Sequence, residues 1–161
     1  MGLGYRFAAI GILGRQVIQP RGLVGVGTDS IDFSGREIHQ IFEVLAEKEN
    51  YPLLIHCAHG KDRTGLMVML VLLLLGVAED AISQDYMLSQ DELKADREDR
   101  RREMSEIGLT EDFLGCPPDW VGQMRKYLDD NYGGPKKYLA AIGVAEETQR
   151  AIKSILRDQA T

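Results

Sequence analysis

Ten consecutive residues, His56-Cys57-Ala58-His59-Gly60-Lys61-Asp62-Arg63-Thr64-Gly65, bring together a thiol, two imidazoles, two cations, a carboxylate and a hydroxyl. The Cys-x5-Arg spacing suits the capture of, and attack on, a phosphate. Backbone N–H groups from Ala58, His59, Gly60 and Lys61 through to Arg63 can turn inward around three phosphate oxygens. The N-terminus of a following helix adds its positive end to that nest. Gly60 permits a backbone shape that a side chain would hinder. Arg63 offers a planar fork that holds two oxygens at once, which lysine cannot imitate. At the base of such a cradle Cys57 is stabilised as a thiolate, the nucleophilic form. It would attack phosphorus, and water would then hydrolyse the phosphocysteine. Thr64 is placed to donate its hydroxyl to the departing sulfur, and His56 to steady the loop as a supporting hydrogen-bonding residue.

The leaving oxygen needs a proton. Asp62, inside the loop, is the first candidate for the general acid; Asp29 and Asp32 are alternatives that a separate loop could bring over the site. Each residue also has a plainer reading. Cys57 and His56 could be core residues, and Arg63 could form an ion pair with Asp62. Lys61 is either a substrate contact or a solvated charge, and His59 either a surface or a specificity residue. Two other chemistries fail on spacing. A nucleotide P-loop needs Gly-x4-Gly-Lys-Ser/Thr, and here Ile55 stands at the first Gly position while Asp62 follows the lysine. A zinc site from His56, Cys57 and His59 lacks a fourth ligand at zinc-motif spacing, with Cys116 and His39 the remaining candidates. No metal or cofactor is expected.

The loop needs a strand before it and a helix after it. Leu53-Leu54-Ile55-His56 reads as a short buried strand after Pro52, and the helical pattern runs from Arg63 to Val77. Leu66–Leu75 is a ten-residue apolar run, short of the roughly 20 that span a bilayer, so a core helix is expected. Upstream, Tyr5–Gln19 is expected as a helix ending before Pro20, with Phe7, Ile10, Leu13 and Val17 as its stripe. Gly22–Gly27 is expected to be extended. Ser34-Gly35-Arg36-Glu37 has capping-box spacing, and Ile38, Ile41, Phe42 and Leu45 follow at helical intervals to about Lys48. Downstream, a helix is expected over Glu79–Leu88, burying Ile82, Tyr86 and Met87. A second capping box, Ser89-Gln90-Asp91-Glu92, should open a charged surface helix to Ile107, with Asp96–Arg100 and Glu98–Arg102 pairs. Pro117–Asn131 follows with Trp120, Met124, Tyr127 and Leu128 on its inner side, then two helices around Tyr138 and Ile152. Cys116, Trp120 and Tyr86 are expected in the core. A buried strand needs neighbours for its backbone groups, and only one good strand is legible.

The decapeptide resembles the signature of the protein tyrosine phosphatase superfamily. Its Gly-Lys-Asp-Arg-Thr core is most similar to the atypical branch: bacterial secreted tyrosine and lipid phosphatases, and fungal tyrosine phosphatase-like proteins. Asp85-Tyr86-Met87-Leu88-Ser89, Gly115-Cys116-Pro117-Pro118-Asp119-Trp120 and Tyr132-Gly133-Gly134 resemble the fungal group, so the likeness runs from about Pro20 to Leu156. It implies an α/β fold of the cysteine-phosphatase type, with Cys57 as nucleophile, Arg63 on phosphate and Asp62 as acid. It also implies tolerance of phosphoinositides beside phosphoproteins through Lys61, and a cytoplasmic setting. The family's strand-bearing N-terminal region has no match here. The expectation is therefore a single domain over 1–161, N-terminally shortened and helix-dominated. An inactive phosphate-binding module that keeps the loop is the alternative function.

Composition fits a globular domain, at 44% hydrophobic and 27% charged residues in 161. A net charge of −6 argues against a protein that coats nucleic acid. Two cysteines far apart in sequence read as reduced thiols. No basic amphipathic helix supports a stable membrane anchor. The expected partner is a phosphorylated protein or a phosphoinositide; the oligomeric state is not legible.

Overall fold

The computed structural model describes residues 2–158, apart from the side chains of 2–4, Phe7 and Asp158. Among these residues the regular elements are all helical. They are α1 (Gly2–Leu13), α2 (Gln19–Phe33), α3 (Gly35–Leu45), α4 (Asp62–Leu75), α5 (Glu79–Glu92), α6 (Arg97–Glu106), α7 (Trp120–Tyr132), α8 (Pro135–Ala141) and α9 (Glu146–Asp158). None is long and apolar enough to cross a membrane.

α4 is the axis of the core. Its sequence is apolar on nearly every side, which places a helix in the interior rather than at a surface. Met69, Leu70 and Leu74 are fully enclosed, each worth about 1.5–3 kcal/mol over leaving it in water. Gly76 stops the helix at φ 83°, a conformation that favours glycine. Arg157 of α9 donates to the carbonyl of Leu75 at 3.0 Å, satisfying an acceptor at that end. Around this axis α7 packs against both α2 and α5. Its Trp120 donates Nε1–H to the Leu23 carbonyl at 3.2 Å, and Tyr138 of α8 donates to the Ile31 carbonyl at 2.9 Å. In α3, Ile38, Phe42 and Leu45 are buried as their spacing predicts.

Several expectations are corrected. Gly22–Gly27 is not extended but helical within α2, with a single break at Gly22 (φ 62°). Pro20 does not end the preceding helix: a π-helical turn over Gly14–Ile18 leads into α2, where a first-turn proline costs no hydrogen bond. Leu13 and Val17 of the proposed stripe are more than half exposed, and Phe7 lies outside the described side chains. Ser34 precedes α3 but makes no side-chain cap bond. Ser89–Glu92 lies inside α5, and the charged helix begins later, at Arg97. Its ion pairs have i, i+3 spacing, Glu98–Arg101 and Asp99–Arg102. Arg100 instead turns inward to the carbonyl of Leu114 at 2.9 Å.

The α/β expectation is not met within the described residues. Tyr51–Ala58 has a strand's alternation, Leu53, Ile55 and Cys57 facing in while Leu54, His56 and Ala58 face out. Among the described residues no backbone–backbone hydrogen bond reaches residues 53–58. A strand is defined by its ladder, and this segment has none.

Candidate active site

The extended segment ends at Cys57, and five residues later α4 has begun. This places the thiol at the helix's electropositive end. Gly60 has φ 66° with open space where a Cβ would stand, so conformation and not crowding requires glycine there. Burial alone would raise the Cys57 thiol. The Thr64 hydroxyl and the backbone N–H groups of Thr64, His59 and Gly60 outweigh it. The outcome is a pKa lowered from 9.0 to about 7. Thr64 Oγ1 is buried and otherwise has no partner among the described residues, so the sulfur is the group its proton can serve. The contact is not a fully formed hydrogen bond in the resting thiol; it strengthens when the sulfur carries charge.

Arg63 is exposed and has no carboxylate partner among the described residues, so the alternative Arg63–Asp62 ion pair is not formed. Asp62 pairs with Lys61 instead: Nζ donates to Oδ1 at 2.6 Å, the lysine side chain wholly buried and the aspartate about a third exposed. Lys61 is thus neither at the loop's mouth nor solvated. His59 bonds to Glu103 of α6 at 3.0 Å, strapping the loop to that helix. Ala58 and His56 are exposed, and His56 makes no hydrogen bond among the described residues. Both alternative acids are engaged on α2. Asp29 is clasped by the guanidinium of Arg21, which donates to Oδ2 at 2.9 Å, and Asp32 accepts from Tyr127 and Tyr132 of α7, each at 2.7 Å. Cys57 and Cys116 are both free thiols. Among the described residues no three His, Cys, Asp or Glu side chains converge as a metal site would require.

Tyr86, Trp120 and Cys116 are buried as expected, but sequence reasoning did not place them against the loop. A Cβ at Gly65 would lie 3.0 Å from two ring atoms of Tyr86, a ring that also stacks on Trp120 at 4.8 Å. Tyr86 and Cys116 lie together, and burial pushes both their pKa values up, so both remain protonated. Gly65, next to Thr64, was the one legible sign of this close approach. No signal pointed to Glu103.

The profile of the Tyrosine phosphatase family matches residues 19–158. The chain is 30% identical over 137 residues to the triple specificity protein phosphatase PtpB of Mycobacterium tuberculosis, covering 75% of this chain and 49% of that protein. It is 31% identical over 127 residues to a tyrosine-protein phosphatase of Nostoc commune, covering 73% and 43%. A shorter stretch of 38 residues is 45% identical to an inositol diphosphatase of Arabidopsis thaliana, 24% of this chain and 15% of that one. The chain therefore spans about half the length of the first two relatives. A lowered thiol, a loop closed by glycine and a free arginine at a helix start agree with the profile match, and the chain belongs to the tyrosine phosphatase family.

Proposed function

We propose that residues 1–161 act as one phosphatase domain that hydrolyses phosphate monoesters through a phosphocysteine on Cys57. The carrying observation is the placement of Cys57 in a tight, glycine-turned loop at the start of α4, where the Thr64 hydroxyl and backbone N–H groups lower its thiol to about 7. The thiolate attacks phosphorus, so that a P–S bond forms and the bond to the leaving oxygen breaks. Asp62 gives that oxygen its proton, supported by its position inside the loop, next to Arg63; to do so it must leave its pairing with Lys61. Arg63 and the N–H groups of Ala58, His59 and Gly60 hold the other oxygens. Water then attacks phosphorus, Asp62 takes its proton, and Thr64 donates to the departing sulfur. Phosphotyrosine is the leading substrate, supported by the names of the two longer matches; phosphoserine or phosphothreonine and phosphoinositides follow, the last supported by the inositol diphosphatase match. The alternation over Tyr51–Ala58 supports reading this segment as a strand position of the cysteine-phosphatase fold. Two free thiols support a cytoplasmic setting.

The test is hydrolysis of a small aryl phosphate by the purified chain in EDTA. Turnover that persists in the chelator and is lost in Cys57→Ser is the expected result. The same variant should still bind phosphate, and Arg63→Lys should weaken binding and rate together. The unpaired segment at Leu53–Cys57 favours a second reading, an inactive phosphate-binding module. A folded chain that binds phosphate without turnover would select it.

A further inference from the structure

Beside the loop lies a cleft of about 370 Å³, with His59, Gly60 and Thr64 on one wall and Asp85 and Glu92 of α5 on the other. Its floor, from residues such as Val68, is apolar. Among the described residues neither carboxylate meets a cation, and both are exposed. A third carboxylate, Glu103, stands at the same end of the loop on His59. No lysine or arginine is among the residues lining the cleft, and cations of the loop and of α6 are already paired. Lys61 is buried on Asp62, Arg101 lies between Glu98 and Glu111, and Arg102 is on Asp99. Arg63 is the uncompensated cation of the loop among the described residues, and a single phosphate uses it fully.

Resting on the phosphatase reading of Cys57, we propose that this cleft selects phosphomonoesters carried on cationic polypeptide. The preferred substrates are phosphotyrosyl segments with Arg or Lys beside the phosphorylated residue. The apolar floor accepts the aliphatic stem of such a side chain while its charged head reaches Asp85 and Glu92. A headgroup bearing further phosphates meets the same carboxylates with like charge, and among the described residues no lysine or arginine lines the cleft to answer it. The net charge of −6 opposes approach to an anionic lipid surface in the same sense. Exposed pairs are individually weak, so two of them amount to a preference of about three- to tenfold.

The test uses the Cys57→Ser chain as a trap. Anisotropy gives its affinity for two labelled phosphotyrosyl peptides that differ only in Arg or Glu beside the phosphorylated residue. A short-chain phosphatidylinositol bisphosphate serves as competitor. The Arg peptide should bind about three- to tenfold tighter at low salt, and the margin should shrink at about 0.5 M salt. Asp85→Asn with Glu92→Gln, both at exposed positions, should bring the ratio close to one. Equal affinities, a tighter Glu peptide, no peptide binding, or a bisphosphate that outcompetes the Arg peptide would each overturn the proposal. Aryl phosphate turnover by the unsubstituted chain separates the two ideas. With turnover and a flat ratio the cleft inference alone falls. With no turnover and the ratio intact, hydrolysis alone falls.

Discussion

Replacing Thr64 by Val removes a hydroxyl and keeps the branched shape. A pKa of about 7 leaves about half of Cys57 as thiolate at neutral pH, whereas 9.0 would leave about one per cent. The Thr64 hydroxyl and three backbone N–H groups together overcome burial. The hydroxyl is the largest of those stabilising contributions, so its loss should move the midpoint up toward about 8. The thiolate fraction at pH 7 then falls about fivefold. A more basic thiolate is intrinsically more nucleophilic, which returns a factor of about 3. The rate at one pH therefore changes little, and the midpoint is the quantity to measure.

The assay is iodoacetamide alkylation of Cys57 across pH, followed by mass spectrometry. Alkylation requires the thiolate, so the rate rises with pH through about 7 in the unsubstituted chain and about 8 in the variant. Cys116 is an internal control: it is buried, and burial pushes its thiol up, so it should stay slow while the fold is intact. A Cys57 midpoint near 9.0, or superimposable curves for the two chains, would refute the reasoning.

Gly65→Ala should cost about 1–3 kcal/mol in denaturant unfolding. The new methyl meets Tyr86 at 3.0 Å, and that ring is buried and already stacked on Trp120. Asp62→Asn should slow phosphoenzyme formation most for poor leaving groups in single-turnover kinetics. Asp29→Asn, which loosens Arg21, should leave that dependence unchanged; the reverse pattern would move the acid role to Asp29.

Legibility followed the strength of local signals. The helical spacing of Ile38, Phe42 and Leu45 and the unbroken apolar run through α4 were readable because burial imposes a period or a composition. The Cys57-to-Arg63 spacing was readable because anion binding demands particular atoms. Gly22–Gly27 was misread because a short, Gly-punctuated apolar stretch carries no period that separates strand from helix. Ser89–Glu92 was misread because the spacing of a capping box also arises inside a helix. The direction taken by Lys61 was not legible at all: whether a loop cation faces solvent or turns inward depends on which carboxylate the fold brings to it, here its neighbour Asp62. The ladder partners of Leu53–Cys57 were absent from the pattern and are absent among the described residues.

The end of α4 proposed to bind phosphate belongs to the same helix whose other turns fill the core. Loop occupancy and the persistence of the fold are therefore thermodynamically linked. A ligand that binds only the folded chain adds about 2.7 kcal/mol when present at a hundred times its dissociation constant. Phosphate or an inhibitor seated on Arg63 thus announces itself by the melting of the whole molecule, and occupancy can be followed in a variant that turns nothing over.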